Sequence, residues 1–290
     1  MVKNMKKNTH LLIIDPQNDF CDLPEAYLPA SPDGTPVRPA LPVAGAHHDM
    51  LRVADLIRKA GAGLANISVT IDSHHRIDIA HPTFWTRGDG SAVTPFTEIT
   101  AAEVRAGTYL PRTPAALPRV LDYLDTLEAA GRYRLMVWPV HCEIGSWGQA
   151  VHADVRAAYN AWEEATLTSV TKLGKGANPW TEHYSAVMAE VPDAADPDTQ
   201  LNQGFIDMLK QADQIYITGE AGSHCVRATT EHIVENFGTE NLGKLTILVD
   251  CISPVTGFDT QYQEFLAAMQ AKGLKLAASS DILPVLVANA

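Results

Sequence analysis

The chain is poor in cysteine, lacks any long apolar run and carries no excess of positive charge. Its four cysteines, Cys21, Cys142, Cys225 and Cys251, are widely spaced in 290 residues and form no C-x-x-C pair. That spacing argues against a disulfide scaffold and for a reducing, cytoplasmic compartment. No segment approaches the roughly 20 apolar residues of a membrane span, so no membrane association is expected. The basic start, residues 1–7, leads into an apolar run that stops at Asp15. It lacks a long apolar core and a small-residue cleavage site, and no signal peptide is read there. Lys and Arg number 22 against 34 acidic residues, for a net charge of −12. With no basic cluster or nucleic-acid motif, a polyanion partner is not expected. What is abundant is hydrophobic side chain, 46% of the total, enough for a large core.

Short apolar runs alternate with amphipathic ones. Strand-like segments fall at 10–14, 64–71, 135–138, 168–172, 214–218, 245–249 and 275–278. Helical spacing appears at 50–60, 117–130, 150–165, 226–237 and 260–271. That alternation predicts an α/β fold with a parallel sheet covered on both faces. Stretches 23–45 and 87–118, rich in Pro, Gly and Ala or mixed with charge, read as loop insertions, and 192–199 as a shorter linker. No internal repeat or composition shift divides the chain, so one domain over 8–290 is expected.

In such sheets ligands sit at the carboxyl ends of the strands. Asp15, Asp72, the 138–141 segment and Cys225 all fall there. Cys225 stands where a strand turns into a helix, in Gly219-Glu220-Ala221-Gly222-Ser223-His224-Cys225. Free N–H groups and the helix dipole at that position favour a thiolate and can hold an oxyanion. A small buried core residue is the plainer alternative. Asp15 is either a turn former or a general base beside a thiol, and Asp19 a cap or a solvated carboxylate. Asp72 and His74, two apart on an extended segment, point the same way and can share a cation such as zinc, manganese or iron. His81 and His141 join them only if the fold brings them close, and His75 adds another imidazole. Lys172 reads as a surface lysine. Lys175, between two glycines after a strand, can enter a tight site. Phe20, Phe84, Trp85 and Trp138 lie beside these groups as core or as walls for a flat ligand.

Taken together, Ile14 to Phe20, Asp72-Ser73-His74, Trp138 to Cys142, Lys175-Gly176 with Tyr184-Ser185, and Gly219 to Arg227 occur in one order. In that order they resemble the nicotinamidase branch of the isochorismatase-like cysteine hydrolases. The resemblance spans roughly residues 10 to 280. It implies a Rossmann-like three-layer sandwich with a six-stranded, mainly parallel sheet. It also implies a catalytic triad of Asp15, Lys175 and Cys225, and an oxyanion hole from the N–H groups of Ala221 and Cys225, with a cis peptide before Ala221. One divalent metal, expected to be zinc, would be held by Asp72, His74 and His141, with His81 as a further candidate. Phe20 and Trp138 would flank the substrate ring. The implied partner is a small-molecule amide, in a reaction of NAD salvage, and a homo-oligomer is expected. Departures from the family are the chain's length, His75, a His74-to-His81 spacing one residue longer than in compact relatives, and Glu220 where an apolar residue is usual. They leave open another small amide or ureido substrate, or a non-catalytic ligand- or metal-binding protein on the same fold.

Overall fold

Four largely apolar inner strands, flanked by two more exposed edge strands, line up as one parallel sheet in the computed structural model, which describes residues 6–290. Residues 1–5, the start of the basic stretch, lie outside the described residues. The sheet strands are β1 (Thr9–Ile14), β2 (Asn66–Asp72), β3 (Thr171–Lys175), β4 (Gln214–Gly219), β5 (Leu245–Leu248) and β6 (Lys275–Ala277). Their spatial order is β6-β5-β4-β1-β2-β3. β1 is buried at all six positions, as a central parallel strand covered on both faces must be. It pairs with β2 through His10↔Asn66 and with β4 through His10↔Ile215.

The chain steps outward from β1 to β2 and β3, then returns to start the other half at β4. Right-handed crossovers therefore place the two sets of helices on opposite faces. Helix Ala46–Ala60 packs with Ala153–Thr166 and Ser279–Val287, while Cys225–Phe237 packs with Gln203–Lys210 and Asp259–Ala271. The expected three-layer α/β sandwich is the observed one. Between β1 and β4 the strand order reverses, which opens a crevice at their carboxyl ends. Gly219 ends β4 with φ 120°, and a Cβ there would lie 1.9 Å from the Ile14 carbonyl oxygen. Only glycine lets these two strand ends approach so closely.

Several boundaries differ from the sequence reading. The run at 135–138 is not a strand of the main sheet. Leu135–Val137 instead pairs antiparallel with Thr97–Ile99, because the 87–118 insertion supplies a closer edge. The same insertion supplies Tyr109–Pro111, which pairs with Trp85–Arg87, and the short helix Ala101–Arg105. The extended run at 168–172 is displaced to Thr171–Lys175, so Lys175 ends its strand rather than following it. Helix Ala46–Ala60 starts before 50, which brings Asp49 into it. No helix among the described residues is long and apolar enough to cross a membrane.

The core encloses neutral histidines. His10 in β1 is 1% exposed and bonds Ser68 Oγ at 2.9 Å; burial pushes its pKa down to about 4. His152 and His232 are pushed to about 4 by burial first, then by His47 and Arg132 respectively. Each binds its proton more readily in the unfolded chain, so stability falls as pH drops from 6.5 toward 4. His10 alone contributes on the order of 3 kcal/mol to that loss. The Tm difference between wild type and His10→Asn should be level from pH 8 to 7 and shift steadily below 6.5, with wild type losing more. A difference that stays constant down to pH 4 would contradict this.

Candidate active site

Three strand ends and one helix start meet around a single buried ammonium. Asp15 follows β1, Asp72 ends β2, Lys175 ends β3, and Cys225 opens the helix after β4. Lys175 Nζ lies 2.9 Å from Asp15 Oδ2, 2.9 Å from Asp72 Oδ1 and 3.6 Å from Cys225 Sγ. Burial opposes its charge, but Asp15, Asp72 and Cys225 outweigh burial and raise its pKa well above the usual lysine range. Lys172 is elsewhere, half exposed against the Tyr159 ring and Glu163.

Asp15 has φ 43°, an uncommon left-handed conformation for a non-glycine residue. Its N–H donates to Thr70 Oγ1 at 2.9 Å, and the Thr70 hydroxyl donates back to Oδ1. That leaves Oδ2 without a well-directed bond beside the ammonium. Burial raises the Asp15 pKa, partly countered by Lys175. The Lys175 ammonium stands between this carboxylate and the Cys225 thiol, 2.9 Å from Asp15 Oδ2 and 3.6 Å from Sγ. The expectation of a resting thiolate is not met. Burial pushes the Cys225 thiol well up, ahead of the opposing pull of Lys175. The backbone N–H groups of Ala221 and Cys225 donate to no acceptor among the described residues. The Glu220–Ala221 peptide is cis.

Asp72, His74 and His141 bring one ligand atom each to within 4.8 Å of one another, all from buried side chains. Asp72 Oδ2 lies 3.0 Å from His74 Nε2 and 3.4 Å from His141 Nε2. His141 Nδ1 faces the Pro139 carbonyl at 2.8 Å; a carbonyl only accepts, so Nδ1 carries the hydrogen and Nε2 is free to ligate. His74 Nδ1 is held at 3.1 Å by Asp78 Oδ2. Carboxylate and carbonyl partners of this kind orient metal-binding imidazoles. Glu182, also buried, leaves Oε2 unpartnered. The donor set fits a divalent ion. His81 packs against the His74 and His141 rings at 5.1 and 5.2 Å, with Nε2 3.3 Å from His141 Nδ1, but it does not join the group whose ligand atoms meet. His75 is exposed. Gly176 has φ 85°, and a Cβ there would fall 2.8 Å from Asp72 Oδ1.

Phe20, Leu41, Trp138, Glu182, Tyr184, His224 and Val255 enclose a cavity of about 20 Å³ against Asp72, His141, Ala221 and Cys225. The Phe20 ring stands edge-on to His141 at 5.5 Å, and Trp138 Nε1 donates to Tyr184 Oη at 3.0 Å. Phe84 and Trp85 are core instead, against Trp180 and the Ile79 carbonyl. A larger cleft, about 750 Å³, reaches Lys175 and His183 but neither Asp15 nor Cys225; its size carries no chemistry. Asp19 is buried rather than solvated. It accepts N–H groups from Ala40 at 2.9 Å and Cys142 at 2.7 Å, tying the 23–45 insertion to the segment that bears His141. Sequence reasoning missed Gln17, Thr70, Asp78, Glu182 and His224. Gln17 exchanges two 2.7 Å bonds with the Asp72 backbone. Its place two residues after Asp15 in a polar turn was the only local signal.

No family model and no curated protein match the chain. Solved structures do. A nicotinamidase/pyrazinamidase of Acinetobacter baumanii is 20% identical, with 95% of this chain and 98% of that one covered at a TM-score of 0.60. The yeast nicotinamidase bound to the inhibitor nicotinaldehyde is also 20% identical, with 93% and 99% covered and a TM-score of 0.60. A Pyrococcus horikoshii pyrazinamidase in complex with zinc is 18% identical, with 93% and 99% covered and a TM-score of 0.50. The chain has the nicotinamidase fold.

Burial opposes a charge on His74, but Asp72 and Asp78 outweigh it and raise its pKa well above the usual value. A proton on Nε2 competes with metal there. Bound metal, measured after dialysis without chelator, should therefore decline as pH falls from 8 to 6. Asp78→Asn should weaken metal affinity about 10- to 100-fold. Unchanged metal retention in Asp78→Asn would contradict its orienting role.

Proposed function

We propose that this chain is a cysteine-dependent amidohydrolase that converts a small aromatic amide, nicotinamide being the first to test, to the acid and ammonia. The observation that carries the reading is one buried ammonium in contact with two carboxylates and a thiol, beside two unused backbone N–H groups. Asp15 takes the Cys225 proton while Lys175 holds the negative charge in place. The sulfur attacks the amide carbonyl, and the oxyanion rests on the N–H groups of Ala221 and Cys225. Asp15 returns the proton to the departing ammonia, leaving a thioester. Water, deprotonated by Asp15, then releases the acid and restores the thiol. Asp72, His74 and His141 would hold a divalent ion, zinc first among those to test, with His81 the nearest further imidazole. When bound, it supplies a Lewis-acid anchor for a ring nitrogen and so helps fix the carbonyl's position. Phe20 and Trp138 would flank the ring. A homo-oligomer in the cytoplasm, acting in NAD salvage, belongs to the same reading.

The resting cavity of about 20 Å³ admits about one water. An aromatic amide therefore enters only when covering side chains such as Leu41 and Phe20 swing aside. A second reading, a smaller amide or a ureido compound, is favoured by that tight space. The unpartnered Glu182 Oε2, an acceptor that an extra substrate N–H would satisfy, favours it too.

Purified wild type should release ammonia from nicotinamide, and Cys225→Ala should reduce turnover by at least about 10⁴-fold while still binding nicotinate. Lys175→Ala should lose turnover and Lys172→Ala keep it. Turnover that persists in Cys225→Ala would remove the nucleophile. Release from a ureido compound but not from nicotinamide would select the second reading.

A further inference from the structure

Two carboxyl groups face each other behind the loop that carries Ala221. Glu220, at the end of β4, is fully buried, and Asp49, in helix Ala46–Ala60, is 2% exposed. Asp49 has a cation, Arg52 Nη2 at 2.5 Å from Oδ1, and its Oδ2 accepts from Ser253 Oγ at 2.5 Å. Glu220 has no ion-pair partner among the described residues. Its Oε2 accepts the Ser253 N–H at 3.3 Å, and Oε1 meets no donor. The Asp49 carboxyl is its neighbour across Ser253, which gives its N–H to Glu220 Oε2 and its hydroxyl to Asp49 Oδ2. Two buried carboxylates in contact cannot both ionise; one proton between them converts repulsion into a bond. Arg52 decides where the charge stays. It pairs with Asp49, and Glu220, which faces no cation, keeps the proton.

The pair sits where it can matter. The Glu220 N–H donates to the Ile14 carbonyl, one residue before Asp15, at 2.8 Å. The Gly222 N–H donates to the Ser253 carbonyl at 2.9 Å. The loop 220–222 is thus stitched to β1 on one side and to Ser253 on the other, and Ser253 is held in turn by Glu220 and Asp49. We propose that Glu220 is a positioning residue: its carboxyl donates a proton to Asp49 at neutral pH and so fixes the loop that presents the Ala221 N–H to the oxyanion. The role in turnover rests on the amidohydrolase reading; the shared proton does not.

Burial first, then Asp49, pushes the Glu220 carboxyl well above the usual glutamate range, in agreement with the geometry. The other titratable groups facing it are Cys21 and Asp22 from the segment after β1 and Tyr262 from helix Asp259–Ala271. None is a cation, and Arg52 is engaged by Asp49.

Glutamine copies a protonated glutamate, with a carbonyl for the Ser253 N–H and an N–H for Asp49, but it has no proton to lose. Above pH 4.5 the unfolded wild type ionises at Glu220 while the folded protein does not, so wild-type stability falls as pH rises. The full-length Glu220→Gln variant should therefore melt above wild type. The gap should widen by about 2 °C per pH unit from pH 5 to 8. A gap of constant size, or of opposite sign, would overturn the shared proton. In turnover of nicotinamide, Glu220→Ala should lower kcat about tenfold or more with little change in KM. Glu220→Gln should restore it. Wild-type kcat in Glu220→Ala, or equal losses in both variants, would overturn the positioning role. Absence of turnover in wild type would count against the amidohydrolase reading, and the melting curves would still decide the carboxyl pair.

Discussion

The structure depends on how Lys175 is buried. An ammonium taken out of water costs several kcal/mol unless partners surround it. Here Asp15 and Asp72 each approach to 2.9 Å and the Cys225 sulfur to 3.6 Å. Those partners arrive from β1, from β2 and from the helix after β4, while the lysine itself ends β3. The ion cluster therefore requires the strand order, and the strand order places the cluster at the reversal point between β1 and β4. Removing Lys175 or either carboxylate leaves an uncompensated buried charge, typically a loss of about 3–5 kcal/mol. The geometry of the proposed site and local stability are one constraint at this edge of the sheet. Asp72 links the two halves of the site, since one carboxylate oxygen meets Lys175 and the other meets both histidines.

The covering layer follows from the same edge. β-strand ends alone would leave Cys225 open to water. Asp19 closes one side by binding the Ala40 and Cys142 N–H groups, which draws Leu41 over the cavity. The 87–118 insertion closes another by pairing with Leu135–Val137, the segment that leads into Trp138 and His141. The antiparallel pairing is thus what aims His141 at Asp72, in place of the main-sheet strand that the sequence pattern suggests. Enclosure then acts on the charges. It raises the pKa of the thiol, so that in the proposed reaction proton transfer to Asp15 is a step rather than a property of the resting state.

Legibility in the sequence followed locality. Asp15, Asp72, Lys175 and Cys225 stand at or next to ends of apolar runs, and a strand end next to a polar residue is visible in a few consecutive letters. The Asp72-x-His74 pair is visible for the same reason, since extended chain repeats every two residues. Lys175 could be told from Lys172 by its flanking glycines, and Gly176 is indeed the position where a Cβ would strike Asp72. What could not be read is long-range. Thr70 binds Asp15 across 55 residues, and Glu220 meets Asp49 across a helix whose first turn carries no strong apolar period. Leu135–Val137 is too short for its partner to be chosen by pattern, and helix Ser279–Val287 carries Pro284 inside it, which argues locally against a helix. The thiolate expectation failed because helix position is local and burial is not.

The proposed reaction is tested most directly by intact-mass analysis of the protein quenched in acid while incubated with nicotinamide. The account predicts a nicotinoyl group bound as a thioester to Cys225, absent from Cys225→Ala and released as the substrate is exhausted. Steady turnover with no acyl adduct even when product release is slowed, or an adduct on another residue, would contradict it.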